Sequence, residues 1–155
     1  MSNKPIVYLS GPIAGCSREE IHGWRNEWIA HWGEEFVRNP ARRVWDQAYD
    51  NWDNYKEIIE ADLDDIAESE VVLTKYDRPT NGTLMENVHG YMGAKLIVTV
   101  VENPEVYKNL SPWVIYHSDI IVRTFEDACT AIMYWMDNKL KFDDFVTLDT
   151  KSLKI

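Results

Sequence analysis

The chain is poor in the residues that build many sites. Its two cysteines, Cys16 and Cys129, lie far apart and form neither a CxxC pair nor a disulfide framework, so buried or idle thiols are expected. The four histidines, His22, His31, His89 and His117, follow neither HExxH nor a Cys/His ligand spacing, which argues against zinc or any other metal site. No apolar run approaches the ~20 residues that span a bilayer. The opening MSNKPIVYLSG lacks a signal-peptide pattern, so a cytoplasmic protein with no membrane partner is expected. Positive charge is also scarce, with 16 Lys and Arg against 26 Asp and Glu and a formal net charge of −10. A nucleic-acid polymer, which is tracked by a basic groove, is therefore excluded as partner. A single nucleotide is not, because backbone amides at a helix N-terminus hold phosphate without Lys or Arg. The absence of GxxxxGK[ST] removes P-loop phosphoryl transfer, and no G-x-S-x-G elbow is present. GPIAG is not GxGxxG.

What is present is a well-stocked core. The 155 residues suit one domain, 1–155, long enough to bury a sizeable interior. Seven Trp and eight Tyr supply large side chains to fill it. PIVYLS reads as a short buried strand followed by the turn GPIAG. Ser17 with Glu20 forms a capping box, and Ile21, Trp24, Trp28, Trp32 and Phe36 follow at helical spacing. EFVRNP reads as a second strand, and 41–53 as a loop with a helical turn. DNYKEIIEADLDDIAES predicts a helix capped by Asp53 with Ile58, Ile59, Leu63 and Ile66 inward. EVVLTKY, AKLIVTVV and DIIVRT complete the strands, the unbroken apolar run of AKLIVTVV suiting a parallel strand covered on both faces. FEDACTAIMYWMDNKL is a last helix with Phe125, Ala128, Ile132 and Trp135 in phase. The segment from about 141 onward is polar and has no place in this pattern.

Alternating strands and helices predict an α/β, three-layer, doubly wound sheet of about five parallel strands, flavodoxin- or Rossmann-like. Ligands in such sheets bind beyond the carboxyl ends of the strands, where the strand order switches. Two loops fall at that edge: SGPIAG, with Gly11, Pro12, Ile13, Ala14 and Gly15, and YDRPTNGT, with Thr80, Asn81 and Gly82. Glu86 opens the helix after the second. Thr83-Leu84-Met85-Glu86 fits an S/T-x-x-E capping box, so Glu86 has both a capping and a catalytic reading. The two are compatible, since a helix N-terminus keeps a carboxylate ionised.

Asp62 is the second carboxylate of interest. It lies four residues after Ile58 and four before Ile66, on the inward face, whereas Asp64 and Asp65 are expected to be solvated. An inward carboxylate needs a partner or a task. Two carboxylates meeting at a pocket are the equipment for cleaving a glycosidic bond.

YLSGPIAG, EADLDDIAESEVVL and GTLMENVHGYMGAKLIV, in that order and over about Ile6 to Ala131, resemble the nucleoside 2-deoxyribosyltransferase family, whose superfamily includes the 2'-deoxynucleoside 5'-phosphate N-hydrolases. The most specific piece is G-T-x-x-E-x-x-x-x-Y-x-G-x-K, with the Asp-Leu helix twenty-four residues before its Glu. The resemblance implies Glu86 as the nucleophile at C1' and Asp62 as its partner at the leaving base. Tyr8 would position Glu86, and the two loops would line a nucleoside pocket. It implies no cofactor. NLSPW resembles the segment that reaches a neighbouring subunit's site, with Asn109 or Ser111 as the polar contact, which implies a homo-oligomer with shared sites. Thr80, six residues before Glu86, is hydrolase-like, whereas Ala14 replaces a hydrolase Arg and Gly82-Thr83 is transferase-like. Transfer of deoxyribose between a nucleoside and a free base is the leading expectation. The alternatives are hydrolysis of a 5'-monophosphate and a non-catalytic nucleotide-binding module.

Overall fold

In the computed structural model, residues 4–43 and 53–138 are described. Most of the loop expected over 41–53, and all of the segment from 141, lie outside them. Five strands form one sheet: β1 (Val7–Ser10), β2 (Val37–Arg38), β3 (Val71–Lys75), β4 (Leu96–Val100) and β5 (Ile120–Val122). All are parallel, in the order β2-β1-β3-β4-β5, so the order switches between β1 and β3. The helices are α1 (Arg18–Trp32), α2 (Tyr55–Glu68), α3 (Asn81–Met92), α4 (Pro104–Lys108), α5 (Pro112–Tyr116) and α6 (Phe125–Asp137). The doubly wound α/β fold is the one expected.

The two-residue period of the strands sorts their side chains into two packing layers. Val7, Leu9, Val71, Leu73, Val98 and Val100 face α1 and α6, where they meet Trp24, Trp28, Trp32, Ala128, Ile132 and Trp135. Trp28 stacks on Trp32 with centroids 5.2 Å apart, and Trp24 on Phe125 at 5.6 Å. The aromatic stripe is core. On the other face Tyr8, Val72 and Ile97 pack with Ile66 of α2. Toward the strand ends this second face turns polar, because the next residues in phase are Ser10, Thr74 and Thr99, all fully buried. That change places buried hydroxyls at the strand ends on this face.

The first two helices follow local chemistry, with corrections in α2. Ser17 and Glu20 form the expected capping box of α1, both bonds present. For α2 the N-cap is Asn54 rather than Asp53, which sits in the preceding turn. Ile59 is 52% exposed, not inward; Ile66 is buried, with Ile58 and Leu63 half-buried. The inward stripe of α2 is narrower than its aliphatic residues suggest because buried acids take part of it. Asp62 lies inward, and Asp65 is also buried, bridged to Arg42 at 2.9 Å instead of solvated, while Asp64 is exposed.

Helix α3 sits close on the sheet because Gly90 has no side chain. A Cβ there would lie 2.7 Å from Val72 Cγ2 and 2.8 Å from Ile97 Cδ1. Gly90→Ala should therefore overpack the interface at a cost of ~1–3 kcal/mol, less about 1 kcal/mol of gained helix propensity. Gly82, with nothing within 4 Å of an added Cβ, is the control, and Gly82→Ala should be neutral or slightly stabilising. Urea unfolding of both variants checks this, and equal midpoints would refute the close packing.

Candidate active site

The site is built where β1, β3 and the first turns of α3 converge. Helix α3 begins one turn earlier than the capping-box reading requires. Its N-cap is Thr80, and Asn81 and Gly82 already belong to its first turn. Thr83 is buried and its hydroxyl accepts from Thr80 Oγ1 at 2.7 Å, so it caps nothing. Glu86 falls in the second turn, beyond reach of the free amides. The capping reading of Glu86 is overturned by this one-turn shift.

Glu86 points at β1 instead. Tyr8 Oη donates to Glu86 Oε1 at 2.7 Å, and Ser10 Oγ donates to Oε2. Residues 8 and 10 share a face of the strand, so one strand supplies a donor to each carboxylate oxygen. Neighbouring contacts fix the helix in that register. Thr74 Oγ1, beside Ser10 in the sheet, donates to Asn87 Oδ1 at 2.6 Å. Asp62, only 6% exposed, lies close enough for its charge to act on Glu86.

Glu86 keeps some accessible surface but is otherwise densely enclosed. That enclosure pushes its pKa up to about 7. The hydrogen bonds from Ser10 and Tyr8 oppose the shift, the negative charge of Asp62 adds to it, and Arg25 opposes it. A carboxyl group poised near neutrality, with both oxygens oriented, is suited to nucleophilic or proton-transfer chemistry.

The loop residues are arranged around this pair. Gly11 and Pro12 are buried, Ile13 half-buried, and Ala14 and Gly15 exposed, with Gly15 at φ +73° where glycine is favoured. Thr80 is half-buried, and Asn81 and Gly82 are exposed. Arg78, between β3 and α3, bridges to Glu20 at 2.9 Å and so ties the segment before α3 to the start of α1. Asn109 and Ser111 follow β4 and cap short helices. Asn109 Nδ2 donates to Glu105 O at 2.8 Å, and Ser111 Oγ accepts from Trp113 N at 3.3 Å. Those bonds are local and bring neither residue to Glu86.

Two neighbours escaped the sequence reading. Ser10 could have been found from strand period alone, being two residues after Tyr8. Arg25 lies in phase with Ile21, Trp24, Trp28 and Trp32, and a charged residue inside an apolar stripe is itself a signal. It is fully buried, its guanidinium donating to Gly11 O at 3.0 Å and Ile21 O at 2.6 Å. Burial pushes the Cys16 and Cys129 thiols up, which disfavours thiolate chemistry at neutral pH. Among the described residues, no group of three His, Cys, Asp or Glu could hold a metal ion, and no helix is long and apolar enough to cross a membrane.

Fold and site together define a doubly wound α/β protein with a carboxylate pair at the switch in its strand order. The sequence matches no protein-family model and no curated protein. Among solved structures, the chain is similar to a conserved protein from Enterococcus faecalis V583, at 13% identity over 84% of this chain and 98% of that one, with a TM-score of 0.66. It is also similar to the 2-deoxyribosyltransferase from the psychrotolerant bacterium Bacillus psychrosaccharolyticus, at 15% identity over 79% and 88% of the two chains, with a TM-score of 0.60. The likeness is one of fold: the chain shares its parallel α/β architecture with both structures.

The raised pKa makes Glu86 a source of pH-dependent stability. The native state holds this proton more tightly than the unfolded chain. Its contribution is therefore full below about pH 4.5 and is lost as pH rises through about 7. Relative to Glu86→Gln, the wild type should lose roughly 2–3 kcal/mol of stability between pH 4.5 and 8. Denaturant titrations of both proteins across that range measure the difference; a gap independent of pH would show that Glu86 titrates normally.

Proposed function

We propose that the protein cleaves the N-glycosidic bond of 2'-deoxynucleosides and transfers deoxyribose to another base. The observation that carries this reading is the convergence of Tyr8, Asp62 and Glu86 at the strand-order switch, with Glu86 oriented by two donors. A module that only bound nucleotides would have no use for an enclosed, oriented carboxylate pair.

In this mechanism ionised Glu86 attacks C1' on the face opposite the base. The C1'–N bond breaks, its electron pair passes to the base nitrogen, and Asp62 assists proton delivery there. The sugar remains esterified to Glu86. The nitrogen of an incoming base then attacks C1', loses its proton toward Asp62, and releases the Glu86 carboxylate. Two inversions give net retention. Tyr8 and Ser10 stabilise the carboxylate as it is released, since both donate to the charged form. GPIAG and the N-terminal turn of α3, with Thr80, Asn81 and Gly82, flank the nucleoside. No Lys or Arg stands in GPIAG to meet a 5'-phosphate, which favours the free nucleoside over the monophosphate. A small nucleoside donor and a free nucleobase are the partners, and no cofactor enters. Shared sites in a homo-oligomer, through Asn109 or Ser111, are part of the same proposal.

The test is a donor panel of deoxynucleosides and their 5'-monophosphates, each with and without an acceptor base. Base exchange on free nucleosides is expected. A tenfold preference for monophosphates, or release of sugar with no exchange, would move the protein to hydrolysis. Glu86→Gln should abolish turnover while leaving the fold intact, and Asp62→Asn should slow base release by ~10²–10⁴-fold. Wild-type turnover in either variant would remove that residue from the mechanism.

A 2-fluoro-2-deoxyarabinosyl nucleoside should accumulate as a sugar ester, because its fluorine destabilises the oxocarbenium-like transition state. Intact-mass spectrometry should show the adduct, and peptide mapping should place it on Glu86. Mapping to another side chain would reject the assignment.

A further inference from the structure

Arg25 is a charged side chain with no exposure at all, in the middle of the aromatic stripe of α1. Its guanidinium packs over the Trp24 ring, 4.5 Å from the centroid, and donates to the carbonyl of Gly11 at 3.0 Å. Gly11 is the first residue beyond β1, directly after Ser10, whose hydroxyl holds Glu86. The space around Gly11 is already full. An added Cβ would lie 2.8 Å from Trp24 Cζ2, 3.4 Å from Arg25 Nη2 and 3.5 Å from the Lys75 carbonyl, at the end of β3. Trp24 and Arg25 therefore fill the crevice between the ends of β1 and β3 from the α1 side, while Glu86 approaches from the α3 side.

We propose that Arg25 is a positioning residue, which anchors the Gly11 carbonyl, and with it the loop after β1, and sets a fixed positive charge within reach of Glu86. The proposal rests on Glu86 being the reacting carboxylate. Burying a guanidinium is costly, and a neutral residue such as Met would serve packing alone at less cost. The charge has a specific task here. Glu86 is enclosed and has Asp62 on the α2 side, and both effects favour its protonated form. From β1, Tyr8 and Ser10 counter them by hydrogen bonds; from α1, Arg25 counters them by charge. On the loop, Cys16 feels Arg25 as well, together with Arg78, Glu20 and Asp77. Among the charges acting on Glu86 from neighbouring elements, Arg25 is the positive one. It is also the one joined to the substrate loop.

Arg25→Gln keeps a donor for Gly11 O and removes the charge, whereas Arg25→Lys keeps the charge and removes the guanidinium fork. Carboxyl-13C NMR titration of Glu86, its resonance identified by loss in Glu86→Gln, reads the effect without turnover. In Arg25→Gln the midpoint should rise, and the acid limb of the transfer pH profile should rise with it. In Arg25→Lys the midpoint should stay within a few tenths of a unit, while the amides of residues 13–16 exchange faster. A Gln variant whose midpoint stays or falls overturns the electrostatic role, because looser packing would admit water and lower the midpoint, whereas loss of the charge raises it. Should the Gln variant not fold, the Lys variant decides: a midpoint raised by half a unit overturns the charge, and unchanged loop exchange overturns the anchor. A midpoint that shifts in a protein without deoxyribosyl transfer would reject the proposed function and leave the Arg25 coupling standing.

Discussion

The Tyr8 hydroxyl crosses from the sheet to a helix and meets the Glu86 carboxylate at 2.7 Å. That contact demands a particular backbone. β1 must turn Tyr8 and Ser10 toward α3, which fixes Val7 and Leu9 toward the tryptophans on the other face. A slip of one residue would send both donors into the aromatic core. Helix α3 must also lie close enough for a glutamate to reach the strand, which Gly90 permits, and its rotation is held by Thr74 on Asn87. The position of one carboxylate thus depends on strand parity, on a missing side chain and on one buried hydrogen bond.

Much of this was legible in the sequence because it rests on periodicity. Strand–helix alternation, the aromatic stripe and the Ser17–Glu20 box are local patterns, and the fold preserves them. Glu86 and Asp62 stand out by position, at a helix start and on an inward helix face, whereas Tyr8 enters only through the family resemblance. Where the sequence misled, tertiary contacts decided. Asp65 reads as surface until Arg42, twenty-three residues away, is brought beside it. Ile59 reads as core until the acids of α2 are seen to occupy the inward face. The boundary of α3 was misjudged because Thr-x-x-Glu scores well locally, while Asn81-Gly82 resembles a loop. Arg25 shows in the sequence only as a charge inside an apolar stripe; its acceptors, the carbonyls of Ile21 and Gly11, are backbone atoms that no side-chain pattern announces.

The electrostatics of the site oppose one another by design of the fold. Enclosure and Asp62 raise the Glu86 pKa, and Ser10, Tyr8 and Arg25 restrain the rise. A carboxylate without enclosure would be a weakly basic, fully hydrated anion. Enclosure without donors would leave a protonated acid, useless as a nucleophile at neutral pH. Each donor also tempers nucleophilicity by occupying a lone pair, so two donors, one on each oxygen, are a moderate compromise. Both oxygens retain further lone pairs for attack.

The same balance explains why the second turn of α3, and not the first, is the right address for this glutamate. In the first turn Glu86 would bind the free amides at the helix start, and its charge would be neutralised by the helix dipole. Such a carboxylate is stabilised where it stands and has little reason to attack a carbon. In the second turn the backbone amides are already committed to the helix ladder. The carboxylate must find its donors elsewhere, and it finds them on β1, across the gap into which a substrate would enter. The structure separates Glu86 from the capping position by one turn of helix.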